Sequence, residues 1–283
     1  MKWYFVLSGG AVCAAVLWLL AGYRRNLRRK KLMMEELVRS VAEAMEQDSF
    51  YLVFQPIVDI HSNQVIGAEV LSRLDHPKLG IVKPDQFLKA LAQNGLQERF
   101  DYYIFEKTCG WFAENYGMGE KLKFLSCNFC RHTISAAGFA DRIRQIADRY
   151  AIPHGCMAIE ITEKEREMDT EQVCRNLEQL QCSGFQVFLD DYGSGVTSLW
   201  DFQNYPVDLV KIDRSMLNQT GNKRGAAIFR GLVSIAEELD AQVLCEGVET
   251  RLEHAFVRAS GCRYGQGYYF YRPMSAPDFG RLL

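Results

Sequence analysis

From residue 123 to the C-terminus, short apolar runs alternate with amphipathic stretches, and each apolar run stops at a polar or charged side chain. The runs cover 123–128, 157–162, 185–190, 208–212 and 242–246, with a weaker one at 264–266. Between them, 139–150, 171–182, 225–239 and 252–259 have the spacing of helices. Repeated strand–helix units predict a parallel sheet. So many units in roughly 240 residues predict a closed α/β barrel rather than an open sheet. Upstream, 51–59 and 65–73 flank a His61-Ser62-Asn63 turn and predict a hairpin, hence one antiparallel strand.

The polar residues that interrupt the runs are Asn128, Glu160, Asp190, Lys211 with Asp213, Glu246 and Gln266. In a (β/α)8 barrel the strand ends meet on one rim, where chemistry is placed. One such residue is an ordinary helix cap. Successive strands each ending in a potential ligand or charge predict an active site. Glu69, Leu71 and Arg73 share one strand face, so an acid and a guanidinium point into the same cavity. Asp190 and Asp191 are adjacent carboxylates that repel unless a cation lies between them. On those two residues alone, a divalent-metal site and a solvated turn both stand. The following Gly193-Ser194-Gly195 is no phosphate-binding loop, since no Gly-Lys-Ser/Thr follows it.

Charge and cysteines narrow the class. A formal net charge of -2 gives no global field for a nucleic-acid polymer. Nine cysteines without a repeating spacing form no disulfide framework and suit a reducing compartment. Cys127 and Cys130 have the Cys-x-x-Cys spacing, but no second pair or His pattern supports zinc, and both read as buried strand cysteines. The five histidines fall in turn-like or surface-like contexts and receive no role.

The N-terminus predicts a membrane anchor. No charged side chain occurs from Trp3 to Gly22, a length that spans a hydrocarbon core of about 30 Å. Arg24, Arg25, Arg28, Arg29, Lys30 and Lys31 follow at once, and this asymmetry places everything after Tyr23 in the cytoplasm. A cleaved signal peptide carries its positive charge before the apolar stretch, which opposes that reading. The expected organisation is an anchor over 1–23, a basic linker helix over 24–36 and the barrel over 37–283.

The motifs around these residues resemble those of the EAL-domain family, the cyclic-di-GMP phosphodiesterases of bacteria. They occur in the family's order: FQPIVD at 54–59, EVLSR at 69–73, CNF around Asn128, EITE at 160–163, DDYGSG at 190–195, VKID at 210–213, EGVET at 246–250 and QGYYFYRP at 266–273. The resemblance covers about 37–283 and implies a modified (β/α)8, TIM-like barrel with one antiparallel strand. It implies two divalent cations, Mg2+ or Mn2+. Glu69, Asn128, Glu160 and Asp190 would hold one; Asp190 and Asp191 would share or hold the second; Glu246 would complete the set. By the same resemblance Lys211 would sit beside the attacking water, Gln266 would orient the site, and Gln55, Leu71 and Arg73 would engage the dinucleotide. Glu163 would steady the loop 191–199, which touches the dimer interface in this family, and Asp213 reads as an orienting neighbour of Lys211.

General chemistry agrees with those roles. Two cations about 3.5–4 Å apart lower the pKa of a bridging water and neutralise phosphoryl charge. Carboxylates plus an amide carbonyl are hard oxygen ligands suited to such ions. A Lys ammonium stabilises a developing anion, and an Arg guanidinium takes a phosphate bidentately. Departures from the family pattern are mild: Val70 replaces the signature alanine, Leu74 stands where tryptophan is frequent, and Tyr192, Ser194, Val196 and Thr197 vary the glycine loop. The expected activity is hydrolysis of cyclic di-GMP to linear pGpG. The alternative is a receptor or interaction module that binds the nucleotide without turnover, and the feature that separates them, loss of a ligand residue, is not seen.

Overall fold

The computed structural model describes residues 2–115, 122–162, 170–193 and 199–283. In chain order its strands are β1 (Phe50–Asp59), β2 (Gln64–His76), β3 (Gly80–Val82), β4 (Phe124–Cys130), β5 (Met157–Thr162), β6 (Gln186–Tyr192), β7 (Leu209–Ile212), β8 (Gln242–Cys245), β9 (Tyr264–Gly265) and β10 (Met274–Ser275). Its helices are α1 (Lys2–Glu46), α2 (Pro84–Gln93), α3 (Gln97–Asn115), α4 (Arg131–Ser135), α5 (Phe139–Arg149), α6 (Thr170–Cys182), α7 (Leu199–Asn204), α8 (Arg214–Asn218), α9 (Lys223–Glu238), α10 (Arg251–Ala259) and α11 (Ala276–Leu282).

Two compact units partition the chain, one of 1–50 with 74–96 and one of 51–73 with 97–283. In the second, the sheet order β1-β9-β8-β7-β6-β5-β4-β2 closes on itself through a β1–β2 pairing. Eight strands therefore form a closed TIM-like barrel. β2 and β4 to β9 run parallel, and β1 meets β9 antiparallel, Val58 opposite Gly265. The expected hairpin and the single reversed strand are both present. β5 is buried on both faces, as a parallel strand covered by helices must be, which explains why its sequence is apolar on either side of Glu160. Outside it, α5 buries Phe139, Ala140, Ile143, Ile146 and Ala147, the single stripe of a half-exposed helix.

A plug of Ile57, Ile66, Phe124, Ala158, Phe188, Leu209, Leu244 and Tyr264 fills the lower barrel. Phe124 and Phe188 meet edge to face at 5.0 Å, and each ring contributes about 2 kcal/mol through burial. Gly67 is required there: a Cβ on it would stand 2.7 Å from both the Phe124 ring and its carbonyl oxygen.

In the first unit, α1 is one continuous helix through the residues expected as anchor, linker and domain start. Its C-terminal part buries Leu37, Val41 and Ala44 while α2 buries Phe87, Ala90 and Leu91, and the two helices pack together, so 37–50 groups with 74–96 in this unit. Among the described residues no helix is long and apolar enough to cross a membrane. The expected span Trp3–Gly22 lies outside the described side chains as far as residue 15, and Val16 to Leu20 beyond it are 48–69% exposed. His76 corrects the surface assignment given to the histidines: it is 3% exposed, and its Nδ1 accepts from the Lys78 and Leu79 amides at 3.2 Å. Its Nε2 must then carry the proton and donate to Ser40 Oγ at 2.7 Å.

Candidate active site

A strand's side chains return to the same face every second residue. Ala158, Phe188, Leu209, Leu244 and Tyr264 belong to the plug, so Glu160, Asp190, Lys211, Glu246 and Gln266 occupy the next layer up the same inner wall. β1 runs the other way, and Gln55 accordingly stands two residues before its plug residue, Ile57. Glu69 follows Gly67 on β2 and lies in register with Ser126 of β4, while Asn128 pairs with Glu160 across β4 and β5.

Lys211 is the centre of this layer. Its Nζ lies 2.7 Å from Glu246 Oε1, 3.2 Å from Glu69 Oε2 and 3.4 Å from Asp190 Oδ1, and it donates a short hydrogen bond to Glu160 Oε1. Glu69 is held further by Gln266 Nε2 at 2.8 Å and Asn128 Nδ2 at 2.9 Å. Asn128's amide oxygen is thereby left as the group it can offer a cation. Among the described residues, Glu160 Oε2 and Gln266 Oε1 are buried oxygens without a hydrogen-bond donor. Buried acceptors of that kind are costly unless something positive or protic reaches them.

Asp191 reaches the site by a different device. Adjacent strand residues point to opposite faces, so a regular β6 would send Asp191 outward. The ladder shifts register between Leu189 and Tyr192, and Asp191 adopts a left-handed φ of 54°. This bulge brings ligand oxygens of Asp190, Asp191 and Glu246 within 4.8 Å of one another. A non-glycine residue in that conformation carries local strain, as functional sites frequently do.

The electrostatics are those of an anionic cavity around one cation. Burial works against the Lys211 ammonium, but Asp190, Glu160, Glu246 and Glu69 outweigh it and hold the pKa well above the usual lysine value. For Glu160 burial dominates, and Glu69 and Asp190 add to it, so its carboxyl rises well above the ordinary range despite Lys211. Glu246 rises to about 8, by burial first and then by Asp190 and Glu69. Glu69 moves down: burial pushes it up, but Lys211 and the hydrogen bonds from Gln266, Asn128 and Lys211 together prevail. Without added cations, then, burial and the neighbouring carboxylates work against the ionised forms of Glu160 and Glu246. Residues of this kind fit a divalent ion: hard oxygens, excess negative charge and unclaimed lone pairs.

The remaining expected residues lie at the margin. Gln55, Leu71 and Arg73 are half-buried on the inner faces of β1 and β2, above Glu69, with Arg73 NH1 donating to the Ser72 carbonyl at 2.8 Å. Asp213 serves as the N-cap of α8, where its carboxylate accepts from Ser215 N at 2.9 Å. Glu163 and the loop positions 194–198 lie outside the described residues. Sequence reading missed Asp101, which is 4% exposed on α3 and accepts from Thr133 Oγ1 at 2.5 Å and Cys130 N at 3.1 Å, just beyond Asn128. A signal was available. Asp101, Ile104, Phe105, Thr108, Cys109 and Phe112 form one buried helix stripe, and a carboxylate in such a stripe must be bonded inward.

Comparison with known proteins bears on the family and the fold. The family model described as "EAL domain" matches residues 38–273. The cyclic di-GMP phosphodiesterase NbdA of Pseudomonas aeruginosa is 29% identical over 246 residues, 87% of this chain and 31% of that protein. The bifunctional diguanylate cyclase/cyclic di-GMP phosphodiesterase MucR of the same organism is 28% identical over 242 residues, 85% of this chain and 35% of MucR. This chain thus spans about a third of the length of those two relatives. The solved phosphodiesterase part of MucR, in complex with c-di-GMP, superposes with a TM-score of 0.79 at 28% identity, covering 86% of this chain and 99% of that one. The EAL enzyme Bd1971, solved with cAMP and cyclic-di-GMP, gives a TM-score of 0.82 at 23% identity over 95% of this chain and 75% of its own, a likeness of fold.

Proposed function

The chain belongs to the EAL-domain family, and on that premise we propose that it hydrolyses cyclic di-GMP to linear pGpG with two divalent cations, Mg2+ or Mn2+. The observation that carries the proposal is the convergence of strand ends from around the barrel on Lys211. Glu69, Glu160, Asp190, Asp191 and Glu246 against one ammonium leave a formal charge of -4, which two divalent cations would balance. Glu69, Asn128, Glu160, Asp190, Asp191 and Glu246 would hold them. Such ions, when bound, act as Lewis acids toward phosphoryl oxygens and make water a stronger acid. Lys211 Nζ, fixed by its carboxylates, donates to the attacking oxygen and stabilises the charge that develops on phosphate. Gln266 keeps Glu69 in place, and Arg73, with Gln55 and Leu71 beside it, receives the dinucleotide.

The test is turnover of cyclic di-GMP by the purified chain over a range of Mg2+ and Mn2+, with pGpG separated chromatographically and Glu69→Ala as the inactive control. Nucleotide binding without pGpG in excess metal overturns the proposal in favour of a receptor.

Two further assignments belong to the same reading. The segment 3–22 is proposed as a single membrane anchor with the barrel in the cytoplasm, supported by the uncharged stretch, the six basic residues after it and the exposed side chains from Val16 to Leu20. Release of the full chain from membranes by alkaline carbonate would refute it. A homodimer through the barrel is proposed on the family resemblance. Ile228, Ile235 and Leu239, 47%, 37% and 52% exposed along or just beyond α9, provide an apolar face for it, and a monomer by light scattering would refute it.

A further inference from the structure

Away from Lys211, a second buried ion pair joins the turns that carry the candidate ligands. Arg131 NH1 on α4 lies 2.8 Å from Asp201 Oδ1 on α7, and the two side chains are only 9% and 7% exposed. Tyr205 OH stands 3.4 Å from the same guanidinium nitrogen, with its ring centroid 5.5 Å from the guanidinium carbon. A buried pair of charges gives up hydration that apolar side chains of equal volume would not, so stability alone is a weak reason for it.

Its location supplies a stronger one. α4 begins where β4 ends, so Arg131 follows closely on Asn128, and Asp101 fixes the same turn from α3. Asp201 lies on the helix that follows β6, the strand of Asp190 and Asp191. β4 stays in register with β5 through Asn128–Glu160 as far as Cys130–Thr162, whereas the β5–β6 pairing stops at Ile161–Leu189. Asp190 and Asp191 therefore stand beyond the part of β6 that the β5 ladder holds, on a bulge with one residue left-handed. The Arg131–Asp201 pair runs from the arm that β5 holds to its end to the one that β5 leaves off, where β6 is paired on the β7 side alone, at Tyr192–Ile212 past the bulge.

We propose that Arg131 and Asp201 are positioning residues that set Asp190 and Asp191 against Asn128, and thereby the affinity of the site for divalent cations. The proposal rests on reading the carboxylate cluster as a cation site. Residues that orient metal ligands without touching the ion typically change affinity about 10–100-fold when removed.

The experiment titrates the metal-free full chain with Mn2+ and follows free Mn2+ by electron paramagnetic resonance. Two variants are compared with wild type: Arg131→Met with Asp201→Leu, which removes both charges at similar volume, and Arg131→Lys, which keeps the charge and loses the planar fork. The double variant is expected to weaken Mn2+ binding about ten-fold and Arg131→Lys about three-fold, with unchanged metal-free melting temperatures and with turnover restored at saturating Mn2+. Wild-type Mn2+ affinity in the folded double variant overturns the brace; if that variant does not fold, wild-type affinity in Arg131→Lys overturns it. Absence of Mn2+ binding by wild type instead overturns the cation-site reading beneath it, so the two failures are distinguishable.

Discussion

Replacing Asp101 with asparagine tests the packing behind Asn128 with a magnitude that can be worked out beforehand. The carboxylate is 4% exposed, and its hydrogen-bond donors are neutral: Thr133 Oγ1 at 2.5 Å, Gln97 Nε2 at 2.8 Å and Cys130 N at 3.1 Å. Burial pushes its pKa from 3.8 up to about 6, and those hydrogen bonds, which favour the ionised form, recover only part of the cost. Below 3.8 the group is protonated folded or unfolded and contributes nothing to pH dependence. Between 3.8 and about 6 the folded chain keeps a proton that the unfolded chain has lost, so stability falls as pH rises. Above that window the full cost of a buried anion remains. At about 1.4 kcal/mol per pH unit, the gap amounts to about 3 kcal/mol. Asp101→Asn does not titrate, so its stability relative to wild type should climb by about 2.4 kcal/mol from pH 4 to pH 7, the rest of the gap lying outside that range. Any constant effect of the amide cancels in that comparison, as do the carboxylates around Lys211. Urea unfolding of both proteins across the range measures it. Parallel stability–pH curves would refute the reasoning.

Five other substitutions probe the site and the packing around it. Lys211→Met should lower turnover about 100–1,000-fold at saturating metal, measured as initial pGpG release, because on the proposed reading it removes the ammonium that stabilises charge developing on phosphate. Asp190→Asn should weaken Mn2+ binding more than Glu163→Gln, and activity equal to wild type at low Mn2+ would contradict the assignment of Asp190. Tyr192 OH is buried with no partner among the described residues, so Tyr192→Phe should raise stability by about 1 kcal/mol in thermal melts. Gly67→Ala should cost about 1–3 kcal/mol in the same assay, since its new methyl group would meet the Phe124 carbonyl oxygen at 2.7 Å.

Much of the barrel was legible because strand geometry is local. A run such as Ala158-Ile159-Glu160 already states that Glu160 faces the way Ala158 does, and the same holds for Phe188 and Asp190 or Leu209 and Lys211. Once the strands are known to alternate with helices, closure brings those faces to one interior, so the amino-acid sequence by itself determined that Glu160, Asp190 and Lys211 face the same way. It did not determine how they are joined. Asp191 points inward because β6 bulges at that point, against the alternation its sequence would predict. Arg131 meets Asp201, and Asp101 meets the turn after Asn128, across chain separations that no periodicity spans. His76 is buried through a contact with Ser40 that a turn-like sequence conceals. Faces follow from the pleat, which each strand carries within itself. Partners follow from barrel closure and helix docking, in which distant segments must find shape and charge that neither holds alone.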